Sequence, residues 1–322
     1  MIEALASDLF RIEIPLPESP LKSLNSYLIK AAGGNLLIDT GFNRPECLAA
    51  MQTSLNDLEV DLDRTDLYIT HLHADHFGLV SELAASGRKV YFNRPDAQIV
   101  LAWSGFDAHV RYAARHGFPP HEIRQALANH PASKYDARRI PALSILDEGD
   151  SIRIGDYHFR CIATPGHTRG HMCLHEPSRR ILLSGDHVLH DITPNIQCWQ
   201  DDIDPLADYL HSLEKVRNLE VDLVLPGHRR LFLDLKSRID QLEAHHRERA
   251  HEVLAILGSG PKTAYQTAPE MTWDIQFDSW SDFPVLQKWF ATGETLAHLR
   301  YLEKAGKVSA AVADDRVLYA LN

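Results

Sequence analysis

Four apolar runs in this chain end alike, in small residues and then a side chain able to bind a metal ion. "DLYIT" leads into His71, "CIATPG" into His167, "ILLSG" into Asp186 and "LVLPG" into His228. Short apolar runs bounded by Gly, Pro or Thr read as buried strands. Strands buried on both faces need cover on both faces, which asks for a layered fold. Strand ends are rigid, and loops leaving them can converge on one point.

The densest cluster is "THLHADH", Thr70 to His76, with three histidines and an aspartate in seven residues. Imidazoles this close repel one another when protonated. The crowding makes sense around a strong positive charge, which requires neutral imidazoles. The full set is His71, His73, Asp75, His76, His167, Asp186 and His228, five imidazoles and two carboxylates. One catalytic zinc needs only three protein ligands. Seven suit two divalent ions if one carboxylate is shared, and paired ions about 3.5–4 Å apart are a known catalytic arrangement. Zinc is the first expectation, and the mixed nitrogen and oxygen set also suits iron or manganese.

The remainder of the 322 residues supplies the scaffold. "FRIEIPL", "NSYLIKA" and "NLLIDTG" read as strands, and "PECLAAMQTSLNDL" as a helix with Asn43 as N-cap. "FGLVSELAAS" reads as a helix and "KVYFN" as a strand. Residues 95–145 carry helical patterns and no evident strand, as a helical insertion would. "SIRIGDYHFRCIATPG" holds two strands around Gly155-Asp156, and "HMCLHEP" and "RILLSGDHV" are a further pair. "DPLADYLHSLEKVRNL" is an amphipathic helix. A long charged helix begins near Asp234, and two helical runs followed by short strands suggest a winged-helix-like module. The division expected is a catalytic domain over 1–235 and a C-terminal domain over 236–322.

The strings HxHxDH, then a distant His, Asp and His, resemble the signature of the metallo-β-lactamase-fold hydrolases. "SLNSYLIK" and "LLIDTG" are similar to that family's opening strands, and the likeness covers roughly residues 5 to 235. It implies an α/β fold, an αββα four-layer sandwich with the metals at one edge of two sheets. Carried over, His71, His73 and His167 hold one metal, Asp75, His76 and His228 the other, and Asp186 bridges. A hydroxide between the metals is then the nucleophile, and Asp75 orients it. Asp39 is expected to hydrogen-bond a ligand histidine, and His171 to close a loop rather than ligate.

The antibiotic-hydrolysing members of that fold lack an aspartate at the bridging position, so Asp186 argues against that activity. It resembles instead the glyoxalase II-like thioesterases, the lactonases and the phosphodiesterase branches. The seven-ligand set departs from the mononuclear persulfide dioxygenases. A small ester or thioester is the substrate class expected, thioesters first. The alternative is a metal-dependent ribonuclease or phosphodiesterase with a nucleic-acid-binding winged helix. "ATGETLAHLRYLEKAGKV" resembles the tail of the β-lactamase-like-protein-2 group, some members of which cleave RNA. Yet residues 245–322 hold eight Lys/Arg against ten Asp/Glu, and the whole chain carries a net charge of −11. Phosphate binding normally needs a basic face, so the module reads as a structural cap or a homodimer contact.

Four separated cysteines, no basic-then-apolar leader and no apolar run near the roughly 20 residues of a membrane span make a cytoplasmic location the expectation. Within the insertion, Trp103, His109, Arg111, Tyr112, Lys134 and Tyr135 either line a substrate pocket or pack the insertion's own core. His187 and Trp199 follow Asp186 in a loop that can reach substrate.

Overall fold

Alternating and doubly buried strands dominate the first half of the chain. A computed structural model describes residues 1–128, 139–274 and 279–322; Lys134 and Tyr135 lie outside the described residues. The first sheet pairs β1 (Ile2–Ala4), β2 (Leu9–Pro15), β3 (Ser23–Ala31), β4 (Gly34–Ile38), β5 (Thr65–Tyr68), β6 (Val90–Asn93) and β7 (Leu143–Leu146) in that order. It is antiparallel up to β4 and parallel from β4 to β7. The second sheet contains β8 (Ser151–Ile154), β9 (Tyr157–Ala163), β10 (Met172–Glu176), β11 (Ile181–Gly185) and β12 (Leu223–Pro226), ordered β12-β11-β10-β9-β8. Only β11 and β12 run parallel there. The helices are α1 (Pro45–Asp57), α2 (Ala74–Phe77), α3 (Val80–Leu83), α4 (Arg94–Leu101), α5 (Asp107–Arg115), α6 (Pro120–Ala128), α7 (Pro205–Arg217), α8 (Leu235–Leu257), α9 (Ala264–Thr267) and α10 (Val285–Lys304).

The first sheet is covered on both faces, as its sequence requires. Leu24 and Leu28 of β3 pack with Cys47, Met51 and Leu55 of α1. Tyr27 and Ile29, pointing the other way, pack with Phe159, Cys161 and Leu174 of the second sheet. Side chains of successive strand residues face opposite ways, so one strand serves both cores. Burying each of these large side chains is worth about 1.5–3 kcal/mol. At the end of β9, Ser212 of α7 donates to Pro165 O at 2.9 Å and Lys215 to Ala163 O at 2.7 Å. The result is a mixed α/β sandwich of two sheets with helices outside.

The described residues of the chain form two compact units. One contains residues 1–103, 139–194 and 212–239; the other contains residues 104–128, 195–211 and 240–322. In the second unit Phe118, Ile123 and Leu127 share a core with Trp289 of α10. Tyr112 is buried there and donates from its hydroxyl to Asp201 at 3.0 Å, and Trp199 stacks on Trp289 with ring centroids 3.8 Å apart. Packing is therefore a role these aromatics fill. The unit ends in a hairpin of β13 (Val308–Ala313) and β14 (Arg316–Leu321). Among the described residues no helix is long and apolar enough to cross a membrane.

Two local expectations need correcting. The N-cap of α1 is Arg44, not Asn43, and the helix start relies on Pro45 rather than on a side-chain cap. "FGLVSELAAS" forms no continuous helix: α2 and α3 are single turns separated at Gly78 and Leu79. Leu79 N donates to Thr40 Oγ1 at 3.1 Å, and a Cβ on residue 78 would sit 2.6 Å from Gly41 O. The ladder is interrupted because the Thr40–Gly41 loop presses against it.

Candidate metal centre

The strand ends deliver the ligand-type residues as their grammar suggests. Thr70 and His71 leave β5, His73 is the N-cap of α2, and Asp75 and His76 lie on its single turn. His167 occupies the turn between β9 and β10. Asp186 follows β11 and His228 follows β12. Because those two strands are parallel, with Gly185 opposite Pro226, both residues emerge at the same edge. A hydrogen bond from Met172 N to Thr70 O at 3.0 Å joins the two sheets at that edge.

All seven residues come together. Ligand atoms of His71, His73 and His167 lie within 4.8 Å of one another, as do those of Asp75, His76 and His228, and those of His71, His76 and Asp186. Asp186 lies between the first two groups. Its Oδ1 is 3.4 Å from His76 Nε2, and its Oδ2 is 3.6 Å from His167 Nε2 and 3.4 Å from His228 Nε2. Asp75 Oδ2 is 3.4 Å from the same His228 nitrogen.

The hydrogen bonds around the cluster test whether metal fits. His76 Nδ1 donates to Asp39 Oδ2 at 2.7 Å, His71 Nδ1 to Thr70 Oγ1 at 3.0 Å, and His228 Nδ1 to Ser23 O at 2.8 Å. Each ring is thereby fixed with Nε2 turned inward. These three Nε2 atoms and Asp186 Oδ1 are buried without a hydrogen-bond partner. Buried polar atoms are rarely left so. A metal ligand histidine characteristically donates its other nitrogen to a carboxylate or carbonyl. The donor set therefore fits divalent cations.

The charge states divide the cluster. Burial, then the neighbouring imidazole of His76, holds His71 well below the usual histidine range. Burial, with His167 next, brings His73 down to about 3. Around the other group burial is outweighed by opposite charge. Asp39, Asp186 and Asp75 hold His76 well above its ordinary value, Asp186 and Asp75 raise His228 to about 10, and His76 and His228 bring Asp75 down to about 2.

Two further residues complete the surroundings. His171 has both ring nitrogens engaged: Nδ1 lies 2.7 Å from Thr164 Oγ1, and Nε2 accepts from Asp186 N at 3.1 Å. It shapes the Asp186 loop and has no nitrogen left to ligate. Asp96, at the start of α4, accepts from Leu72 N at 2.9 Å, Thr168 Oγ1 at 2.8 Å and Gly170 N at 2.8 Å. Sequence reasoning misses it, although "KVYFN" followed by "RPD" repeats the pattern of an apolar strand running into a carboxylate.

A profile described as the Metallo-beta-lactamase superfamily matches residues 21–228, and one described as Metallo-beta-lactamase-like, C-terminal domain, matches residues 250–319. The probable metallo-hydrolase YqjP of Bacillus subtilis is 27% identical over 312 residues, 92% of this chain and 92% of its own length. The Homo sapiens acyl-coenzyme A thioesterase MBLAC2 is 28% identical over 241 residues, 71% of this chain and 81% of its own length. Lactamase-like protein aptB of Emericella nidulans is 25% identical over 242 residues, 74% of this chain, which spans 61% of that protein. Among solved structures, the metallo-beta-lactamase family protein TTHA1429 from Thermus thermophilus superposes with a TM-score of 0.83 at 27% identity, covering 99% of this chain and 100% of that one.

Proposed function

The chain belongs to the metallo-beta-lactamase superfamily of metal-dependent hydrolases, and on that premise we propose that it hydrolyses a small thioester with two bound divalent ions, zinc in the first instance. His71, His73 and His167 would hold one ion and Asp75, His76 and His228 the other, with Asp186 placed where both could use it. The observation that carries this reading is the position of Asp186, with carboxylate oxygens 3.4–3.6 Å from an imidazole of the first triad and two of the second.

Bound divalent ions lower the pKa of a coordinated water from 15.7 to about 7, making a nucleophile near neutral pH. The residues of the chain do the remainder. Asp39, Thr70 and the carbonyl of Ser23 hold three imidazoles by their Nδ1 atoms, so the ligand geometry is set before substrate arrives. Asp75 offers a carboxylate beside the reacting centre to orient the attacking water and accept its proton. A thiolate leaving group needs little protonation, because a thiol has an ordinary pKa near 8.5. The thioesterase activity named for the human relative supports the choice of thioester over other esters.

A nucleic-acid substrate is disfavoured by the C-terminal residues. A helix that docks in a groove must present an open face, whereas α10 is buried from Ala291 through Leu299. The hairpin tip carries Asp314 and Asp315, where a phosphate backbone would call for Lys or Arg. The test is a substrate panel of acyl thioesters, lactones, phosphodiesters and RNA with zinc-loaded protein. Thioester turnover at least tenfold above the other classes is expected; dominant RNA or phosphodiester cleavage overturns the reading.

A further inference from the structure

Asp96 is fully buried yet stands outside both groups of ligand-type residues. It sits where β6 turns into α4, with its own N–H donated to Asn93 Oδ1 at 2.8 Å. Its Oδ2 accepts from Leu72 N and Thr168 Oγ1, and its Oδ1 from Gly170 N. Leu72 lies between His71 and His73. Thr168 follows His167 directly, and Gly170 comes two residues later. One carboxylate therefore ties together the two segments that carry all three imidazoles of the first group. None of its three bonds reaches the segment of Asp186 or that of His228.

The approach is close as well as bonded. A Cβ on residue 170 would lie 1.7 Å from Asn93 Oδ1 and 2.6 Å from Asp96 N, so only glycine lets the His167 segment seat against this turn. Neither Asn93 nor Asp96 belongs to the groups of ligand-type residues. The turn fixes the distance between the HxH segment and the His167 segment, and that distance sets the bite of the first triad.

Resting on the two-ion reading above, we propose that Asp96 is a positioning residue that sets the affinity of the His71/His73/His167 site and leaves the Asp75/His76/His228 site largely unaffected. An asparagine shows why a side chain that only accepts matters here. It keeps the volume but must turn an NH₂ group toward one of the donors. The Thr168 hydroxyl can rotate to accept; the N–H groups of Leu72 and Gly170 cannot.

Calorimetric titration of the metal-free protein with Zn²⁺ tests the assignment. Wild type is expected to take up two ions in two steps, and His228→Ala identifies the step that belongs to the second triad. Asp96→Asn is expected to weaken the remaining step about 10- to 100-fold, with the other step within about twofold of wild type by the selectivity argued above. Thr168→Val, which removes one of the three donors, should weaken the same step by a smaller factor and decides the matter if Asp96→Asn does not fold. Unchanged affinities, or both steps weakened equally, overturn the proposal. Fewer than two ions in wild type overturns the two-ion reading itself, and the selectivity with it.

Discussion

His76 Nδ1 lies 2.7 Å from Asp39 Oδ2, and both side chains are buried. Asp39 follows β4 with a φ of 58°, a left-handed conformation that Asp and Asn tolerate better than most residues. The same carboxylate accepts from Thr70 N and Thr70 Oγ1, both at 2.8 Å, and Thr70 in turn holds His71. Asp39 thus steers an imidazole in each triad. Asp39→Asn preserves backbone and volume but directs an amide donor at one of these donors. Zinc affinity measured against a competing chelator should fall about 10- to 100-fold at both sites, in contrast with the one-site effect expected for Asp96→Asn. Wild-type affinity in the Asp39 variant would remove the residue from the site.

The small residue before His228 has a structural reason. A Cβ on Gly227 would lie 2.5 Å from Asp186 Oδ1 and 2.8 Å from His76 Cε1. Gly227→Ala removes no ligand-type side chain, yet the Asp186 carboxylate or the His76 imidazole must move. Metal content after dialysis should drop below that of wild type, while the circular dichroism spectrum remains that of a folded protein. A variant that retains two ions per chain would show that the cluster can widen freely, contrary to its buried packing.

Exchange of Asp186, the carboxylate proposed to serve both ions, is the most direct probe of the chemistry. Asp186→Ala removes the oxygens near both triads, and His73→Ala takes one imidazole from the first. Each is expected to lose at least one ion and to lower kcat/KM at least about a hundredfold, a loss of about 2.7 kcal/mol in transition-state stabilisation. Full turnover in either variant would refute the ligand assignment.

How far the site can be read in the sequence depends on how local each signal is. His71, His167, Asp186 and His228 each follow an apolar strand and small residues, so four short strings reveal them. Asp39 is legible for the same reason, at the end of "LLID". Asp96 is not. Its partners Leu72 and Gly170 lie 24 and 74 residues away and are backbone amides, which no side-chain pattern encodes. The strands are legible because their apolar runs are continuous. The turns α2 and α3 are not, because helical spacing in "FGLVSELAAS" is overridden by the loop at Gly41. The aromatics of residues 104–128 leave two roles open in the sequence, and the shared core of Phe118, Leu127 and Trp289 depends on partners in α10.

Imidazoles outside the metal cluster should add to the acid sensitivity that His71 and His73 bring to the metal-free protein. His298 is fully buried on α10; its Nδ1 donates to Glu294 O at 2.9 Å and its Nε2 lies 3.3 Å from His246 Nδ1. Burial brings His298 down to about 3 and His116 down to about 4, and burial with His298, His245 and Arg249 nearby holds His246 well below its usual range. An unfolded histidine titrates near 6.5. Below that pH the unfolded chain binds protons that the folded chain refuses, so stability falls as pH drops from about 6.5 toward 4. Each such residue contributes up to about 1.4 kcal/mol per pH unit in that window. Urea unfolding of the metal-free protein at several pH values should show this slope, and His298→Asn, which can still donate to Glu294 O, should make it shallower by as much as one proton. An identical slope in the variant would mean that His298 takes up its proton in the folded protein, against its burial between His246 and the Glu294 carbonyl.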